Sequence, residues 1–244
     1  SNTYITAPST TAIDLGTGRT AVAVSSGYEH TCAILDNGDL KCWGSDGSGR
    51  LGDGGIPDTN TNAPSTTAID LGTGRTAVAV SAGGEHTCAI LDNGDLKCWG
   101  RDYYGQLGDG GSNTNTNAPS TTAIDLGTGR TAVAVDAGYY QTCAILDNGD
   151  LKCWGSDGYG QLGDGGPDWS SSNPTDTNAP STTAIDLGTG RTAVAVSTGG
   201  YHTCAILDNG ESKCWGNNGD KQLGVGASTP CLLYTSPSPR DLLK

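Results

Sequence analysis

One stretch, His-Thr-Cys-Ala-Ile-Leu-Asp-Asn-Gly-Asp-Leu-Lys-Cys-Trp-Gly, runs from His30 to Gly44 and returns from His86 to Gly100, Gln141 to Gly155 and His202 to Gly216 with few substitutions. In each copy Ala-Ile-Leu and Leu-Lys-Cys-Trp flank Asp-Asn-Gly, a strong short-range signal for two strands joined by a tight turn. A chain built this way is an array of hairpins. Its fold must stack several copies of one small sheet so that neighbours bury each other's faces.

The turn decides what the cysteines do. If Asp36, Asn37 and Gly38 form a three-residue loop with Gly38 left-handed, Leu35 faces Asp39 and Cys32 faces Cys42. That pair then falls at a non-hydrogen-bonded site, where Cα atoms lie about 4.5 Å apart, near the lower end of the disulfide range. If Asn37-Gly38 alone is the loop, Cys32 faces Trp43 and the two sulfurs point to opposite sides of the sheet. The three-residue loop is preferred because it gives every repeated cysteine a partner: Cys32 with Cys42, Cys88 with Cys98, Cys143 with Cys153 and Cys204 with Cys214. Paired cysteines favour an oxidising compartment, hence an extracellular or cell-surface location. The alternative is reduced, buried thiols. Zinc fits poorly, because structural zinc pairs are usually separated by about two to four residues and these are farther apart.

Ala-Pro pairs open the copies at Pro8, Pro64, Pro119 and Pro180, with spacings of 56, 55 and 61 residues. They divide residues 1–230 into units of approximately 8–62, 63–117, 118–178 and 179–230. Each unit reads as four strands: in the first, Thr11–Leu15, Thr20–Ser25, His30–Leu35 and Leu40–Trp43. With 39 Gly, no Phe and no Met, the core is thin per residue. A disulfide closing so short a loop contributes roughly 2–3 kcal/mol on the chain-entropy view, so four of them matter.

The net charge of -13 repels phosphate backbones, which argues against a nucleic-acid partner. No stretch approaches the length of a membrane span, so no membrane insertion is expected. The chain holds no methionine and begins inside a spacer, so it reads as a fragment in which a signal peptide is not observable. Past Pro230 the composition changes abruptly. Residues 231–244, with the ninth cysteine Cys231, resemble a translated sequencing adapter and are read as non-native.

After each hairpin comes a glycine-rich loop: Gly49-Arg-Leu-Gly-Asp-Gly-Gly55, Gly105-Gln-Leu-Gly-Asp-Gly-Gly111 and Gly160-Gln-Leu-Gly-Asp-Gly-Gly166. The order G-x-x-H-T, a hairpin ending W-G, then G-Q-L-G-x-G resembles the regulator-of-chromosome-condensation repeat family over residues 1 to about 228. The resemblance implies an all-β protein, a β-propeller of four-stranded blades. Family members form seven blades, so four repeats imply an open arc, with a closed four-bladed ring as the alternative. The fourth unit departs most, with Glu211-Ser212 in place of Asp-Leu and Val225 in place of the Asp of L-G-D-G.

Candidate chemistry is sparse. His30, His86 and His202 are replaced at the matching position by Gln141, which cannot shuttle a proton, so a structural hydrogen bond inside each blade is expected. Asp36, Asn37, Asp39 and Asp53 offer oxygen ligands for calcium. Their spacing does not match an EF-hand, and turn chemistry explains them, so no cofactor or metal is expected. Trp43, Trp99, Trp154 and Trp215 read as core. Ultraviolet-sensing plant members of the family carry G-W-R-H-T, whereas these copies read Gly27-Tyr-Glu-His-Thr31 and Gly83-Gly-Glu-His-Thr87; photoreception is not expected.

Against near-identical units, Tyr28, Tyr103, Tyr104, Tyr139, Tyr140, Tyr159 and Tyr201 vary, and Trp169 lies in the longest spacer. These are the candidate binding-face residues. The function expected is a non-enzymatic, disulfide-stapled module or scaffold presenting loops to a protein or glycan. The alternative is a guanine-nucleotide exchange factor-like regulator of a small GTPase, which would require a loop insertion not found among these repeats.

Overall fold

A computed structural model describes residues 5–7, 9–56, 59–166 and 176–225. Trp169, Cys231 and the rest of the tail lie outside the described residues.

The described chain is all β apart from one short 3-10 turn, with four antiparallel three-stranded sheets, each in the order first-second-third strand. They are β1 (Ala21–Ser26), β2 (His30–Leu35) and β3 (Leu40–Gly44); β4 (Ala77–Ala82), β5 (His86–Leu91) and β6 (Leu96–Gly100); β7 (Ala132–Ala137), β8 (Gln141–Leu146) and β9 (Leu151–Gly155); and β10 (Ala193–Thr198), β11 (His202–Leu207) and β12 (Ser212–Gly216).

The hairpin loop has three residues. The Leu35 amide donates to Asp39 O at 2.8 Å and Gly38 sits at φ +81°, a left-handed conformation that favours glycine. Thr31 therefore faces Trp43, and Cys32 faces Cys42 with Cα atoms 4.1 Å apart. The same register and a bonded cysteine pair recur in the other three hairpins. A bulge at Val22 shifts the pairing of β1 on β2, and the matching bulge valines Val78, Val133 and Val194 are likewise pushed out to solvent.

The strand expected at Thr11–Leu15 does not form, in any unit. In the second unit the Asp70 side chain accepts the Gly72 amide at 2.9 Å, turning the chain where a ladder would need it extended. That segment instead lies along the outer edge of the preceding hairpin. The Ile69 amide donates to Leu40 O, Ile124 to Leu96 O and Ile185 to Leu151 O, each at 2.9 Å, and single bridges join Gly44 to Thr61, Gly100 to Thr116 and Gly155 to Thr177. The fourth position of a blade is thus held by chain from the next unit. Ile13, which has no earlier hairpin to lie on, is 58% exposed, whereas Ile69 is 8% exposed.

The core lies between blades rather than within them. One cluster unites Cys32, Ile34, Leu40 and Cys42 of the first blade with Ala77, Ala89, Leu91 and Trp99 of the second. Along the inner edge β1 packs on β4, β4 on β7 and β7 on β10, and no such packing joins β10 back to β1. Among the described residues the propeller is an open arc of four blades.

Candidate binding face and the seams beneath it

Each seam between blades is locked by one backbone carbonyl. Arg50 O, in the Gly-Arg-Leu-Gly loop of the first blade, accepts from the Thr87 hydroxyl at 2.8 Å and from Trp99 Nε1 at 3.1 Å. Gln106 O does the same for Thr142 and Trp154, and Gln161 O for Thr203 and Trp215. The glycine two residues on lets the indole come close. A Cβ at Gly52 would stand 2.2 Å from Trp99 Nε1, and one at Gly108 would stand 2.3 Å from Trp154 Nε1. The Gln-Leu-Gly part of the repeat motif is therefore a receptor for the Trp of the following unit.

The histidines belong to the same lock, and they bond between blades, not inside each blade as expected. His30 Nε2 lies 2.7 Å from Thr87 Oγ1, and His86 Nε2 lies 2.8 Å from Thr142 Oγ1. Each threonine spends its single proton on the carbonyl, so it accepts from the ring, which puts the imidazole proton on Nε2 and leaves Nδ1 bare. Burial, with the nearby Arg50 charge, lowers the His30 pKa to about 4; burial, with His30 nearby, lowers that of His86 to about 3. Both rings are neutral at neutral pH, pinned by their bond and unsuited to proton transfer. Gln141 makes a different connection across the same kind of seam, its Nε2 donating to Gly199 O at 3.1 Å.

The two ends of the blades differ. At the end carrying the Asp-Asn-Gly turns, every unit repeats the same contacts. Lys41 Nζ donates to Leu15 O at 3.0 Å, and Lys97 and Lys152 repeat that bond. Arg19 pairs with Asp36, Arg75 with Asp92 and Arg130 with Asp147, each at 3.2 Å.

The opposite end carries the turn after the first strand and the loop after the third, and there the units diverge. Tyr28 of the first blade meets Tyr139 of the third edge-on at 5.5 Å between ring centres. Contacts then run through Tyr140 at 4.4 Å, Tyr104 at 4.8 Å and Tyr103 at 4.9 Å. Arg101 lies 5.7 Å from the Tyr103 ring centre and 5.6 Å from that of Tyr140, and bonds Glu85. Burial first, then neighbouring Tyr139, pushes the Tyr140 hydroxyl up to about 12, so it remains a donor. Tyr159 and Tyr201 form a second pair at 5.0 Å.

The seven described candidate tyrosines thus fall at one end, five of them in one connected aromatic group. Tyr28 and Tyr103 are well exposed, while Tyr104, Tyr139 and Tyr140 are half-buried supports. Sequence reading found the positions; it missed Arg101 and Glu85, whose only signal was departure from the Ser45 and Tyr140 found at the matching positions. A shallow depression beside Tyr28 and Tyr139 is lined by Gly27, Gly83, Gly138 and Gly199, one from each blade.

Asp102 is fully buried. Its Oδ1 accepts the Leu107 amide at 2.9 Å, its Oδ2 has no partner among the described residues, and burial raises its pKa to about 6. Among the described residues no group of three or more His, Cys, Asp or Glu side chains is arranged to hold a metal, and no helix is long and apolar enough to cross a membrane.

A family profile described as the regulator of chromosome condensation (RCC1) repeat matches residues 37–90, 93–145 and 148–206, and a shorter one of the same description matches 21–50, 77–106, 132–161 and 193–222. The chain belongs to the RCC1 repeat family. It is 30% identical over 206 residues to human E3 ubiquitin-protein ligase HERC2, covering 84% of this chain and 4% of HERC2. It is 33% identical over 205 residues to RCC1 domain-containing protein RUG3, mitochondrial, of Arabidopsis thaliana, covering 83% of this chain and 43% of RUG3. Among solved structures, yeast RCC1 (Prp20) bound to Kap60 superposes with a TM-score of 0.71 at 18% identity, over 89% of this chain and 49% of that one. The chain spans less than half the length of each of these RCC1-repeat proteins. The likeness confirms the propeller fold and the resemblance read from the motifs.

Proposed function

We propose that this RCC1-repeat segment is a non-catalytic, disulfide-stapled binding module, held in an oxidising extracellular or cell-surface setting, that takes a protein partner on its tyrosine-bearing end. One observation carries the reading: units that are nearly identical elsewhere diverge at that end, and the divergent residues come together. Tyrosines suit the task, because a rigid ring with a polar tip gives large contact area at small entropic cost. A protein partner also has precedent in the RCC1 (Prp20) structure, which was solved with Kap60. The buried, neutral histidines and the paired cysteines leave no nucleophile or proton shuttle at the seams.

The test uses an array of extracellular proteins and glycans, probed with the chain, with Tyr28→Ala/Tyr103→Ala, and with Arg75→Ala/Arg130→Ala at the constant end. The expected result is a protein ligand lost by the tyrosine variant and kept by the arginine variant. A ligand lost by the arginine variant alone would overturn the assignment of the face. Mass with and without reduction, followed by alkylation, should show four bonds. Eight free thiols after purification from an oxidising host would remove the extracellular reading.

A further inference from the structure

The two ends of the arc expose the two halves of the lock that joins blades internally. On the first blade, Thr31 and Trp43 stand where Thr87 and Trp99 stand on the second. They have no preceding Gln-Leu-Gly loop, and both are partly exposed where Thr87 and Trp99 are fully buried. Val24 is 68% exposed, whereas Val80 at the same position packs on the core. On the fourth blade, Gln222-Leu223-Gly224 repeats the receptor loop. A Cβ at Gly224 would meet nothing within 4 Å, in the place where Gly52, Gly108 and Gly163 each touch a tryptophan. Gly210 likewise meets nothing within 4 Å, although Gly38, Gly94 and Gly149 each abut a threonine of the next blade. Ile206 is 47% exposed.

We propose that copies of this chain associate head to tail, the fourth blade of one docking on the first blade of the next through the same lock used three times inside the chain. The occupant is a second copy because the two faces complement each other donor for acceptor. Trp43 Nε1 and the Thr31 hydroxyl meet the Gln222 carbonyl, His202 meets Thr31, and Val24 meets the Cys204–Cys214 and Ile206 surface. This contact differs from the internal seams at one place. Leu40, Leu96 and Leu151 are fully buried on the internal faces, and Ser212 replaces them on the terminal one. The polar replacement lowers the apolar area that docking removes from water, so the association is reversible and concentration-dependent where the internal seams are permanent. A head-to-tail contact is heterologous, so it gives a ring when the rotation closes and an open chain when it does not.

The experiment is sedimentation over a wide concentration range on the oxidised full chain carrying Cys231→Ser, which prevents a disulfide between copies from imitating the contact. Oligomers that grow with concentration are expected. Val24→Asp, at an exposed position, should abolish them, and Ser212→Leu should tighten the association roughly tenfold or more, the gain from burying one leucine. A chain that stays monomeric at every concentration, including with Ser212→Leu, overturns the proposal. So does association that neither substitution changes, and so does association lost on Tyr28→Ala/Tyr103→Ala, which would place the contact on the tyrosine-bearing end.

Discussion

The third and fourth blades are nearly the same in sequence and differ in how well they are packed. In β8 every residue from Gln141 to Leu146 is buried, whereas β11 alternates between buried and partly or fully exposed positions. Cys143 and Cys153 are buried, while Cys204 and Cys214 are partly exposed. Nothing in the His-Thr-Cys-Ala-Ile-Leu strand accounts for that difference. It arises because β8 has a blade on both sides and β11 on one. Burial in this architecture is a property of the neighbour, as expected when each unit is too small to enclose a core of its own.

The sharpest way to break that comparison is to cut the same residue in inner and terminal blades. Trp99→Ala removes a fully buried ring and its bond to Arg50 O, and should cost about 3–5 kcal/mol in denaturant unfolding. Trp43→Ala should cost less than half as much, because Trp43 has no preceding loop to fill. Equal losses would mean that the first blade is covered in a way its exposure does not show.

Replacing Cys143 and Cys153 with Ala together should cost about 2–3 kcal/mol from loop closure, plus the packing lost in a buried site. The Cys204 and Cys214 pair closes a loop of the same length, with a sequence separation of 10 in both, so it should lose the first contribution and little of the second. Unfolding of the two double variants side by side measures the difference.

Acid separates the seams by another route. A histidine whose folded pKa lies below its unfolded value binds its proton more readily when unfolded, so stability is full above about 6.5 and falls as pH drops toward 4 for His30 and 3 for His86. His30→Gln/His86→Gln, which installs the residue already present as Gln141, should flatten the fall in stability between pH 6 and 4. An unchanged slope would place the acid sensitivity elsewhere. Asp102 runs the opposite way: its raised pKa means its contribution falls as pH rises through about 6. Asp102→Asn, the residue found naturally at Asn218, should therefore stabilise the chain at pH 7, by an amount on the order of 1 kcal/mol.

The smallest effect belongs to the constant end. Arg75 and Asp92 are each more than a third exposed, so Arg75→Ala should change stability by under about 1 kcal/mol, and added salt should shrink even that. A larger loss would give the repeated ion pairs a structural role.

Much of the blade was legible in sequence because it is local. Asp36-Asn37-Gly38 sets the loop, the loop sets Cys32 opposite Cys42, and the alternation after it sets which side chains share a face. What was not legible is what reaches across a seam. The alternating Thr-Ala-Ile-Asp-Leu segment looks like a strand of its own unit, and it lies on the preceding one because the Asp side chain turns the chain and Ile69 finds an open edge at Leu40. His30 was correctly read as structural, but its partner Thr87 belongs to another copy of the motif that contains it, and identical copies do not say which is bonded to which. The tyrosines were visible as departures from the repeat. That Tyr28 and Tyr139 touch across an intervening blade was not, because the contact depends on how tightly the arc curves.

Hydrogen exchange followed strand by strand, on oxidised chain dilute enough to be monomeric, tests most directly whether neighbours supply the stability of each blade. Amides of β5 and β8 should exchange slowest and those of β11 and β12 markedly faster, despite their shared sequence. Equal protection in β8 and β11 would contradict this and would make each disulfide-closed hairpin stable by itself.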